Sequence, residues 1–183
     1  MLIIKPYDRE RAVAYARKWA LERNPLFTDF TGQGGNCTNF VSQSVLAGSC
    51  AMNYTPTFGW YYISSTDRAP AWTGVEFFYD FMTTNEGVGP FMSEVRRRDV
   101  IPGDVIQLAN DTGDYYHTLI VTGFDGQAIL VSAQSDDALD RRLSTYNYAS
   151  LRYLHVLGVR VEYPETPCFE GLFNGTSLPL PQA

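Results

Sequence analysis

The sequence is poor in the residues that hold metals or cross-link small domains: it has 2 histidines and 3 cysteines among 183 residues. Cys37, Cys50 and Cys168 show no Cys-x-x-Cys spacing, so neither a zinc ribbon nor a disulfide-rich scaffold is expected. Three thiols cannot all pair within one chain, and at least one is free in a monomer. Long hydrophobic runs are missing too. No segment approaches the roughly 18 to 20 apolar residues of a membrane-spanning helix, and Asp8-Arg9-Glu10-Arg11 breaks any signal-peptide pattern at the start. A soluble chain is expected, with nothing in Met1 to Pro6 to say in which compartment it works. Positive charge is scarce as well. The 14 Lys and Arg stand against 20 Asp and Glu, a net charge of −6, whereas a nucleic-acid groove needs a basic surface. The run Arg96-Arg97-Arg98 reads as a solvated helix end or turn, so no nucleic-acid partner is expected. There is no Gly-x-Ser-x-Gly elbow for a serine hydrolase, and the histidines and cysteines lack ligand spacing, so neither a metal nor another cofactor is expected.

Apolar residue types make up 45% of the chain and charged ones 19%, enough burial for a folded domain. At roughly 150 residues per domain the length predicts one domain with some extra chain. Apolar positions at helical spacing predict a helix over 8–23, capped by Asp8 and ended by Asn24-Pro25. Gly32 to Gly35 reads as loop, and a second helix over 37–47 follows, with Gly48 as its stop. Residues 54–81 are rich in aromatics and interrupted by Pro and Gly, which predicts a long ordered loop region entering a helix over 73–85. Runs rich in β-formers at 105–108, 117–124, 128–133 and 152–163 predict strands. Helices first and antiparallel strands second predict an α+β fold. The domain is placed at 7–163, with 164–183 as an irregular, proline-rich tail.

One arrangement of residues carries chemistry. Cys37 follows a glycine-rich loop and opens a helix, where unpaired backbone donors and the helix dipole favour a thiolate. His117 begins a strand after a polar turn, at the rim of a sheet, and could accept the thiol proton and return it to a leaving amine. His155 alternates with Tyr153, Leu157 and Val159 along one strand face and reads as structural.

The run Gly34-Gly35-Asn36-Cys37-Thr38-Asn39-Phe40-Val41-Ser42-Gln43 is followed by Asn53-Tyr54-Thr55-Pro56 and Trp60-Tyr61, then by Pro102-Gly103-Asp104 and Tyr116-His117-Thr118-Leu119-Ile120-Val121. In this order these motifs resemble the putative amidase domain of bacterial, mostly Gram-positive, proteins, a relative of the papain-like NlpC-type and CHAP cell-wall hydrolases. The resemblance covers about residues 7–160. It implies a papain-like α+β fold with N-terminal helices, Cys37 as nucleophile and His117 as base. It also implies a peptide or muropeptide substrate and an extracellular or cell-wall setting. The chain departs from the family at two places: Asn36 stands where members often carry Asp, and Gln134 stands near the place of a His.

The remaining roles follow from position. Gln33 and Asn36 are the side-chain amides nearest the thiol and are the oxyanion candidates beside the Cys37 backbone N–H. Trp60 is the candidate substrate-facing ring within the aromatic stretch. Asp125-Gly126 predicts a two-residue hairpin turn in which paired numbers sum to about 251, placing Gln134 opposite His117 as its orienting residue. Asp136, two residues further on the same face, is the fallback. The same residues leave two other readings open: a non-catalytic module that grips cell-wall glycan or peptide through the aromatic surface, and acyl transfer by the same Cys–His pair.

Overall fold

Asp8 sits just before the first helix and its carboxylate accepts a hydrogen bond from the Arg11 N–H, so α1 (Arg9–Trp19) starts where the cap pattern predicts. The structure is a computed structural model and describes residues 1–163 and 167–179. α1 buries Ala12, Tyr15, Ala16 and Trp19 and stops at Trp19, short of the predicted Arg23. Gln134 takes the Trp19 and Glu22 carbonyls from outside, and Asn24 folds the following turn by accepting from the Leu26 N–H.

α2 (Cys37–Ser49) is buried along nearly its whole length, so its polar side chains all need internal partners. The Ser42 hydroxyl donates to the Trp72 carbonyl, and Gln43 accepts from the Tyr15 hydroxyl. The helix does not stop at Gly48. That glycine lies inside it, where a Cβ would come within 2.5 Å of the Tyr7 ring, and the left-handed turn (φ 48°) falls on Cys50 instead. Close packing, not chain termination, requires the glycine.

Two short helices, α3 (Pro70–Thr73) and α4 (Val75–Thr84), follow the aromatic stretch. The strands then come in the order β2 (Gly89–Val95), β3 (Val105–Ala109), β4 (Tyr115–Asp125), β5 (Ala128–Ala133), β6 (Ala138–Arg142) and β7 (Ser150–Val161). With the N-terminal β1 (Ile3–Lys5) they form one curled antiparallel sheet, β1-β7-β3-β4-β5-β6, with β2 on the other side of β7. The fold is α+β. Val105, Ile120 and Leu154 face the helices, whereas Ile106, Leu108, Leu119, Val121 and Val131 form a second apolar cluster on the opposite face. β1 was not expected, because three residues are too few to show an alternation.

The C-terminal stretch, expected to be irregular, contains a helix, α5 (Phe169–Asn174). Cys168 at its start is bonded to Cys50, with the two Cα atoms 5.5 Å apart. Leu172 is buried, its carbonyl accepts from the Asn24 side chain, and the Phe173 carbonyl accepts from the Trp19 indole. No described helix is long and apolar enough to cross a membrane.

Candidate functional site

Cys37 is the first residue of α2, and its thiol is free and half-buried. The helix start is anchored to the sheet at several points. The Thr38 hydroxyl lies 2.9 Å from the Thr118 hydroxyl, so the residues that follow Cys37 and His117 touch. Ser135, just past the end of β5, accepts the Asn36 N–H at 2.6 Å. The Asn36 carboxamide is held at both ends: its Oδ1 accepts from the Phe30 N–H and the Asn39 side chain, and its Nδ2 donates to Gln134 Oε1 at 2.6 Å. Although it occupies the N-cap position, the Asn36 side chain accepts from no backbone N–H of the first turn of α2.

The hairpin register differs from the predicted one. Asp125 pairs with Ala128, so the loop is Gly126-Gln127, with Gly126 at φ 59°, and paired numbers sum to 253. A bulge at Thr122 then lowers the sum to 252, as in Ile120↔Ser132. Extended to the strand end, this register sets Thr118 opposite Gln134 and His117 opposite Ser135. Gln134 is therefore not the residue that orients His117. It is buried, with its Nε2 donating to the Trp19 and Glu22 carbonyls and its Oε1 accepting from Asn36. A shift of one residue sends a side chain to the other face of a sheet, which is why the pairing arithmetic failed.

His117 pairs with Leu108 and so shares the sheet face that carries the second apolar cluster, while Thr118 pairs with Gln107 on the helix side. Its ring lies 5.8 Å from the ring of Tyr146 and 6.3 Å from that of Tyr116. Burial lowers its pKa to about 4, with Asp136 pulling it up and Arg141 pushing it down. The imidazole is thus neutral at pH 7, the form that can take a proton. Asp136 is exposed and paired with Arg141 at 3.3 Å, and it reaches His117 only through its charge.

The other candidates divide clearly. Gln33 is exposed beside the helix start, whereas Asn36 is buried and bonded into the scaffold at both ends of its carboxamide. Trp60 is not substrate-facing. It is fully buried, its indole donates to the Ser42 hydroxyl at 3.0 Å, and its ring packs on Trp72 and Phe81. The glycine that precedes it accounts for this, because a Cβ on Gly59 would lie 2.1 Å from the Asn53 carbonyl in the narrow Asn53–Trp60 pairing that draws the ring inward. Phe58 is the exposed ring of that turn.

Two features escaped sequence reasoning. From the sequence Ser135 stands out only as the residue that a one-residue bulge would bring opposite His117, and its bond to the Asn36 N–H shows no signal there. Asp104 of the Pro102-Gly103-Asp104 motif is fully buried, paired with Arg9 at 2.7 Å and His155 at 2.8 Å, and it accepts the Ile101 and Val156 N–H groups. That motif ties the chain start to β7. Among the described residues no three His, Cys, Asp or Glu side chains converge to hold a metal ion.

Comparison with known proteins places this chain in a family. The chain is 33% identical over 156 residues to the Uncharacterized protein YhbB of Bacillus subtilis (strain 168), an alignment covering 80% of this chain and 49% of that protein. The chain thus spans about half the length of the curated relative it matches. No solved structure matches it. The profile of the family described as Putative amidase domain matches residues 6–157, from the strand-to-helix turn before α1 almost to the end of β7, and the chain belongs to that family.

Proposed function

We propose that the protein is a cysteine-dependent amidase or peptidase with a papain-like arrangement, in which Cys37 is the nucleophile and His117 the base. The observation that carries this reading is the contrast among the thiols: Cys37 alone is free, and it stands at the start of α2 beside the strand that bears His117. Neutral His117 removes the Cys37 Sγ proton, and the thiolate attacks an amide carbonyl to form a tetrahedral oxyanion. The Cys37 backbone N–H and the exposed Gln33 carboxamide are the donors for that oxyanion; Asn36 is occupied. The oxyanion collapses, the C–N bond breaks, and His117 gives its proton to the leaving amine. Water then hydrolyses the thioester, with His117 again as base. Thr118 lies on the helix side of the sheet and His117 on the other, so in this reading the His117 ring reaches the thiol around the rim of the sheet.

The substrate class is a peptide bond or amide in bacterial cell-wall peptides. The Cys50–Cys168 bridge supports an oxidising, extracytoplasmic setting, since such bonds are rare in reducing compartments. Incubation with purified muropeptides, followed by mass spectrometry for newly released amines, tests this reading. Product release that disappears in Cys37→Ala is expected. Equal release by that variant would overturn cysteine catalysis, and no product from any wall preparation would remove the cell-wall assignment.

A further inference from the structure

A buried glutamine seldom spends its hydrogen bonds on backbone and amide groups from two separate segments unless their relative placement matters. Gln134 does so: the carbonyls of Trp19, the last residue of α1, and of Glu22 just beyond it on one end, and Asn36, the residue before Cys37, on the other. An asparagine at an N-cap ordinarily turns its carbonyl oxygen onto the first-turn N–H groups. Asn36 is held away from that role, because Gln134 claims its Nδ2 while the Phe30 N–H and the Asn39 side chain claim its Oδ1. Ser135 fixes the same residue by its backbone N–H.

We propose that Gln134 is a positioning residue that keeps Asn36 from capping α2, so that the first-turn N–H groups stay available to the Cys37 thiolate. This inference rests on the reading of Cys37 as nucleophile. Removal of the Gln134 amide leaves Asn36 Nδ2 buried without a partner. The Asn36 side chain then exchanges its Phe30 and Asn39 contacts for the first-turn N–H groups, and its oxygen occupies the donors the thiolate would use. Gln134 acts only through Asn36, without touching substrate.

The test is the pH dependence of Cys37 alkylation by iodoacetamide in the full, disulfide-bonded chain, where it is the one free thiol. Gln134→Met keeps the length and volume of the side chain and deletes its hydrogen bonds. We expect this variant to react about 5- to 30-fold more slowly near pH 6.5 and at the parent's rate above pH 10, an alkaline displacement of the whole profile. A purely structural role would lower the high-pH plateau or the melting temperature without moving the profile. Ser135→Ala, a milder change at the half-buried rim, is expected to displace the profile the same way by about twofold and serves if Gln134→Met does not fold. Unmoved profiles in the folded variants, with a parent thiol far more reactive than an ordinary cysteine, would overturn the positioning role alone. A parent thiol that reacts like any free cysteine at every pH would overturn the nucleophile assignment, and the positioning role with it.

Discussion

The two ends of α2 carry the same residue type in opposite states. At the N-terminal end Cys37 is a free, half-buried thiol at a helix start whose N-cap side chain leaves the first-turn N–H groups alone. At the C-terminal end Cys50 sits in a left-handed turn, its N–H donates to the Leu46 carbonyl, and its sulfur is bonded to Cys168. The difference teaches that one helix can separate reactivity from stability by position. The end with unpaired donors suits an anion, and the other end suits a covalent link to a segment distant in sequence.

The largest effect that would break this contrast is the loss of chemistry at one end only. Cys37→Ala should abolish amide hydrolysis while leaving the thermal midpoint within a degree or two, and His117→Ala should lower the rate by about 10² to 10⁴-fold. A Cys37→Ala protein that still hydrolyses substrate would erase the distinction between the two cysteines. Paired replacement of Cys50 and Cys168 by Ser should act in the opposite sense. It opens a link across 118 residues of sequence and should cost about 2 to 5 kcal/mol of stability in urea unfolding, with Cys37 still alkylated.

A smaller effect concerns His117 and sharpens the functional end. His117 has its pKa lowered from 6.5 to about 4 by burial, so the unfolded chain binds a proton that the folded chain refuses between those values. Stability contributed by this group is therefore complete above about pH 6.5 and is lost as pH falls toward 4, by at most about 3 kcal/mol. Urea midpoints measured at pH 7 and pH 4.5 should differ less in His117→Gln than in the parent. The smallest effect is expected at Asp136, whose carboxylate is mostly in solvent. Asp136→Asn should move the NMR titration of His117 slightly downward, the direction expected when a nearby negative charge is lost, and should leave alkylation almost unchanged. A strong loss of reactivity there would restore Asp136 as the orienting residue.

The corrected assignments share a cause. Trp60 looked surface-bound because aromatic residues crowd its stretch, but its indole N–H found Ser42 on α2, an interaction 18 residues away that no local pattern displays. Gln134 was assigned through a hairpin arithmetic that the structure changes twice: the turn moves to Gly126-Gln127, and a bulge at Thr122 shifts the register back by one. The helix expected to end at Gly48 ran on to Ser49 because that glycine makes room for Tyr7, 41 residues earlier in the chain.

By itself the sequence determined the class of fold, the position of Cys37 at the start of a helix and the place of His117 near the start of a strand. Each depends on local periods and caps: a polar cap before helical spacing, a glycine-rich loop before an apolar helix, β-rich runs between turn residues. Only the tertiary structure decided that Cys50 and Cys168 pair, that residues 169–174 fold back as a helix, and that Gln134 holds Asn36 rather than His117. These are contacts between segments up to 154 residues apart. Their geometry is set by the packing of whole elements, and a one-residue shift in a single strand is enough to exchange the partners.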